Sequence, residues 1–202
     1  MASRLLVSGF DPFAGVPWNP SGALALRLGE EPPAGAAVRS IVLPTIFAEA
    51  ARRLAEVAAA FEPTHIVAFG IGAHPTQLRV ERFAVNLADS SGRQDNAGRR
   101  PAEESVVEGG PTGYFSTLPV PLLVAHLREA GLDAIASTGA GTFVCNDLFY
   151  RTMHSCASLR NPPLAGFVHV PAVQGMPDAT PSSPTLEALA GGVRAALEKI
   201  LP

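Results

Sequence analysis

Residues 132–150 read LDAIASTGAGTFVCNDLFY. LDAIAST is a short apolar run of strand length, and GAGT makes a tight turn after it. Asn146 and Asp147 favour the first turn of a helix, and the helical pattern runs on toward Leu159. A strand feeding a helix through a glycine turn is half of an α/β unit. Cys145 falls at the junction, at or beside the helix N-terminus.

Outward from this unit the alternation repeats. RLLVSGF reads as a buried strand ending in glycine, and VRSIVLPT as a second strand stopped by Pro44. HIVAFGIG is a β-rich run bounded by glycines, which places it centrally in a sheet. LAGFVHVP is a further strand ending at Pro171. Between them, NPSGALALRL predicts a helix with Asn19 at the cap and Pro20 at its first position. From Phe47 to Phe61 the positions Ala51, Leu54, Val57, Ala58 and Phe61 recur at helical spacing. VPLLVAHLREAG is helical, with Gly131 as its stop. The tail carries Leu186, Leu189, Val193, Leu197 and Ile200 on one stripe. Gly191 and Gly192 inside it signal a close contact or a weak last turn. Such strands alternating with helices predict a mostly parallel sheet covered on both faces. The polar, Gly- and Pro-rich region 88–119 reads as one long irregular excursion, the kind of loop that often carries function.

Composition narrows the class. The chain has 202 residues, 47% hydrophobic and 16% charged, with a net charge of −3. That predicts one domain, 1–202, with a sizeable core. The charge offers no attraction for nucleic acid or an anionic membrane. No apolar run reaches the roughly 18 residues of a membrane span. The opening MASRLLVSGF reads as a first strand, not a signal peptide. With only two cysteines, this predicts a reducing, cytoplasmic setting. If one helix carries Cys145 and Cys156, they stand roughly 16 Å apart along its axis. That is too far for a disulfide, so Cys145 is expected to be a free thiol.

Three side chains are candidates for chemistry, each with a bland alternative. A helix N-terminus favours a thiolate and can hold an oxyanion, which suits Cys145 as a nucleophile; otherwise it is a small buried residue. His169, near the carboxyl end of a buried strand, lies where α/β sheets bind ligands; otherwise it is a satisfied core histidine. Glu81, in LRVERFAVN, is a carboxylate among strand formers. It either orients an imidazole or pairs with Arg79 or Arg82 on an edge. Together they would supply nucleophile, base and orienting acid.

The segments SGFDPF, NPSG, LPTIF, ERFAVN, DNAG, YFSTLP, AGTFVCN and GFVHVP occur in that order from residue 8 to residue 171, short of the C-terminal helix. In this the chain resembles the type I pyroglutamyl peptidases, which are cysteine-dependent. The resemblance implies a three-layer α/β/α sandwich around a central mixed sheet, and a cytoplasmic homo-oligomer (dimer or tetramer). It implies removal of N-terminal pyroglutamate from peptides by a triad of Glu81, Cys145 and His169, with no metal or organic cofactor. Phe10, Phe13 and Phe143 match aromatic pocket walls, with Val144 beside Phe143. Asn19 matches an asparagine that orders the NPS segment, and Thr45 falls at a pocket edge. The chain departs from the family pattern in GIGAHPTQLRV, after the third strand, and in the spacing of Arg93 before DNAG, which the resemblance matches, at a shifted position, to a family arginine linked to the active site and so to substrate binding. A glutaminase-like cysteine amidohydrolase is a second reading, though no G-x-C-x-G elbow is present. A binder of pyroglutamyl peptides without turnover is a third.

Overall fold

The apolar runs become strands because only a sheet buried on both faces can hide them. The computed structural model describes residues 3–74 and 76–201; Pro75, part of the departing segment, lies outside them. In chain order the elements are β1 (Ser3–Phe10), α1 (Pro20–Glu30), β2 (Ala36–Leu43), α2 (Glu49–Phe61), β3 (His65–Ile71), β4 (Leu78–Glu81), β5 (Phe83–Val85), β6 (Gly113–Phe115), α3 (Val120–Glu129), β7 (Ala134–Ser137), α4 (Val144–Ala157), β8 (Leu164–Val170) and α5 (Leu186–Ile200).

Six strands form a mixed sheet in the order β2-β1-β3-β8-β4-β7. Every neighbouring pair is parallel except β4 and β8, which run antiparallel. Helices α1, α3 and α5 cover one face, where Leu24, Leu123, Leu127, Leu189 and Val193 pack on Leu5, Val7, Val67 and Val168. Helices α2 and α4 cover the other, where Leu54, Leu148, Phe149 and Met153 pack on Leu6, Ile66 and Phe167. The result is the expected three-layer sandwich.

Local signals explain the boundaries. Asn19 caps α1, its side chain accepting from the Ser21 N–H, and Pro20 follows at the first turn. Gly131, at φ 83°, turns the chain after α3. Gly192 marks a close contact, because a Cβ there would lie 2.6 Å from Leu132 Cδ1, whereas Gly191 has nothing within 4 Å. Region 88–119 is less irregular than its composition suggests. It contains β6, which pairs with β5 as a two-stranded ribbon, and an Ala88–Glu104 bridge. Strands of three residues are too short to show periodicity. LRVERFAVN breaks at Arg82, sending β4 into the main sheet and β5 into the ribbon.

Candidate active site

Cys145 is the second residue of α4 and partly exposed. The helix cap, Phe143, makes no side-chain hydrogen bond, so N–H groups of the first turn remain available beside the sulfur. Neither Cys145 nor Cys156 is in a disulfide. The thiol lies over β3 at Gly70. A Cβ at that position would sit 2.9 Å from Sγ and 2.7 Å from the Phe167 ring. Gly70 is thus needed for close approach, and its place in a run of apolar residues disguises that need.

His169 rises from β8 toward the same spot. Its Nδ1 is 2.8 Å from Glu81 Oε1, across the antiparallel β4–β8 pair. Glu81 is 1% exposed, and its Oε2 has no hydrogen-bond partner. A carboxylate this buried is costly without a charged partner, and the imidazole supplies one. Burial alone would lower the His169 pKa. Hydrogen bonds to Cys145 and Glu81, with the charges of both, outweigh it and raise the pKa from 6.5 to about 9. The net effect favours the protonated ring. The thiol lies over Gly70, the β3 register partner of His169, and the imidazole pairs with Glu81, so the three groups gather at one rim; among the described residues Glu81 makes no ion pair with Arg79 or Arg82.

These groups line a cleft of about 460 Å³ at the carboxyl ends of β1, β3 and β8. Phe10, Phe13, Asn19, Thr45, Phe143 and Arg93 line it too. The Phe13 and Phe143 rings meet at a tilt of 45° with centroids 5.3 Å apart, and the Arg93 guanidinium lies 4.7 Å from the Phe143 ring centroid. Val144 is a correction. It is fully buried in the core between α4 and the sheet and does not line the cleft. Phe143 is the extended cap residue and Val144 the first helical one, and only Phe143 lines the cleft.

Several residues hold the site through partners that the sequence does not indicate. Asp11 Oδ1 accepts from the Thr45 N–H (2.8 Å), the Thr45 hydroxyl (2.8 Å) and the Asn96 side-chain amide (3.0 Å). Asp95 accepts from the backbone N–H groups of Phe47, Ala97 and Arg99. Asn146, fully buried, accepts from the Val85 N–H and donates to the carbonyls of Val85 and Leu87. DNAG is visible as a motif, but it also reaches partners dozens of residues away, Phe47 for Asp95 and Asp11 and Pro12 for Asn96.

A larger cavity, about 740 Å³, opens at the opposite rim between α2 and α4, lined by Leu54, Ala55, Ala58 and Cys156. Burial pushes the Cys156 thiol up, and no imidazole lines that cavity. The cleft is where the chemistry gathers. Among the described residues, no three His, Cys, Asp or Glu side chains group to hold a metal ion, and no helix is long and apolar enough to cross a membrane.

An α/β sandwich with a thiol, an imidazole and a carboxyl meeting at one rim defines the class, a cysteine-type hydrolase. The comparisons with known proteins narrow it. The family model for pyroglutamyl peptidase matches residues 3–202, so the likeness runs through α5, beyond the segments quoted above. The chain is 38% identical to pyrrolidone-carboxylate peptidase 1 of Ralstonia nicotianae, over 98% of its own length and 92% of that protein's. It is 41% identical to the pyrrolidone-carboxylate peptidase of Streptomyces coelicolor, over 96% and 90%. The crystal structure of pyroglutamyl peptidase I from Bacillus amyloliquefaciens superposes with a TM-score of 0.91 at 32% identity, covering 98% of this chain and 96% of that one. The chain belongs to the pyroglutamyl peptidase family, whose members are cysteine omega peptidases.

Proposed function

We propose that the protein removes pyroglutamate from the N-terminus of peptides through Cys145, His169 and Glu81. The observation that carries this reading is the gathering of Cys145, His169 and Glu81 inside one aromatic-walled cleft, the thiol over Gly70 beside His169 and the imidazole bonded to Glu81. Pyroglutamate is a neutral five-membered lactam, so recognition needs an apolar slot of ring size and a few hydrogen bonds. Phe10, Phe13 and Phe143 form the slot, Thr45 and Asn19 edge it, and Arg93 backs Phe143.

His169 holds the proton that Cys145 gives up, and Glu81 stabilises the imidazolium. The thiolate attacks the carbonyl joining pyroglutamate to the next residue, and first-turn N–H groups of α4 receive the oxyanion. His169 then protonates the leaving amine. A thioester to Cys145 remains, and water, deprotonated by His169, hydrolyses it and regenerates the thiol. The reading needs no metal or organic cofactor. Two free thiols fit a cytoplasmic setting, and the family resemblance supports a homo-oligomer, dimer or tetramer.

The test is hydrolysis of a pyroglutamyl anilide by the wild type and by Cys145→Ala. The variant is expected to lose turnover by at least about 10³-fold while its circular dichroism spectrum is unchanged. Substantial residual activity would sink the assignment. Faster hydrolysis of glutamine than of the anilide would favour the glutaminase-like reading instead.

A further inference from the structure

The cleft is polarised along the sheet. Its aromatic walls stand over the β1 and β2 edge, with Phe10 closing β1 and Thr45 following β2. Cys145 lies over β3, His169 is on β8, and Arg79 is on β4. Arg79 and His169 are direct cross-strand partners in the antiparallel pair. Such partners share a face and stand close together.

Arg79 lines the cleft without a counter-ion. Among the described residues its side chain makes one hydrogen bond, Nη2 to Ser137 Oγ, at 3.4 Å and so at the long limit. Among the described residues it makes no ion pair. Glu81, two residues along the same face, is committed to His169. Asp89, the other carboxylate of the cleft, accepts from the Ser91 and Glu103 N–H groups. Arg93 is stacked at the aromatic end. A half-buried arginine on the strand beside His169, lining the cleft with most of its fork of donors unused, suits a carboxylate brought by the substrate.

We propose that Arg79 is a specificity residue that binds a carboxylate on the residue released from pyroglutamate. The inference rests on the peptidase reading above. His169 protonates the leaving nitrogen, so with the lactam among the aromatic rings the leaving residue extends past His169, toward β4. Its α-carboxyl carbon is two bonds from that nitrogen. The carboxylate comes either from the free C-terminus of a pyroglutamyl dipeptide or from an acidic side chain.

The experiment compares kcat/KM for pyroglutamyl-alanine, its C-terminal amide, and the amide of pyroglutamyl-aspartate, using wild type, Arg79→Gln and Arg79→Lys. The wild type is expected to favour a carboxylate-bearing substrate over the alanine amide by about tenfold, mostly through KM. The preference should shrink at raised ionic strength. It should fall toward one in Arg79→Gln and be partly kept in Arg79→Lys. A preference for the free dipeptide identifies the C-terminus as the source, and one for the aspartate amide identifies the side chain. No preference in the wild type, or one that survives Arg79→Gln, overturns the inference while leaving the peptidase intact. Failure to cleave any of the three substrates or the anilide removes the peptidase reading, and this inference with it.

Discussion

The pKa of His169 sets how the proposed chemistry responds to pH. Its folded value, about 9, lies above the ordinary 6.5. The fold therefore favours the protonated ring. The stability this contributes is fully present below about pH 6.5 and is lost as pH rises through 9. The leaving amine needs that proton. We expect kcat/KM for a pyroglutamyl anilide to fall on the alkaline side with a midpoint near pH 9. Thermal stability should decline over the same window. Glu81→Gln removes one of the groups that raise the value, so the limb should move to lower pH; a pH–rate profile with the limb unmoved would show that Glu81 does not tune the ring.

Among the elements, α4 matters most because it aims the sulfur. Side chains beyond the nucleophile anchor its first turn. Asp147 Oδ2 accepts from the Ala48 N–H (2.8 Å) at the start of α2, and Oδ1 accepts from Arg151 Nε (2.9 Å). Desolvation raises the Asp147 pKa despite that arginine. Asn146 ties the same turn to Val85 of β5 and to Leu87 by three hydrogen bonds. Asn146→Ala would leave the Val85 N–H and two carbonyls unpaired in the interior. We expect a loss of about 2–4 kcal/mol, read by denaturant unfolding. Turnover should fall in step, because the helix start would no longer be pinned under the cleft. Asn146 and Asp147 were legible as first-turn residues. Their use as struts to β5 and α2 was not, since each partner is more than 55 residues away.

Across the whole molecule, the cleft depends on segments that meet only after folding. Asp11 joins the loop after β1 to Thr45 and to Asn96, and the Asn96 N–H in turn donates to the Thr45 carbonyl. Asn19 closes the ring by donating to the Asp11 carbonyl. One carboxylate thereby holds the aromatic wall, the pocket edge and the loop carrying Arg93 in register. Asp11→Ala is expected to raise KM for a pyroglutamyl anilide about tenfold with a smaller change in kcat, because it loosens the pocket and leaves the contacts of Cys145 and His169 in place. Steady-state kinetics would decide, and an equal fall in kcat with KM unchanged would contradict it.

The alternation of buried strands and helices was readable because hydrophobic period and turn chemistry are local properties of the chain. The strand–turn–helix at residues 132–150 placed Cys145 beside a helix start for the same reason, and the ordered motifs pointed to the family. Strand order was not readable. Which face each side chain takes, and which distant groups it meets, follows from packing the helices on a sheet whose neighbours are far apart in sequence. That packing put Val144 in the core, paired Glu81 with His169, and left Arg79 facing the cleft without an ion partner. Whether a charge is costly or useful depends on burial and on its neighbours, and both are properties of the folded chain.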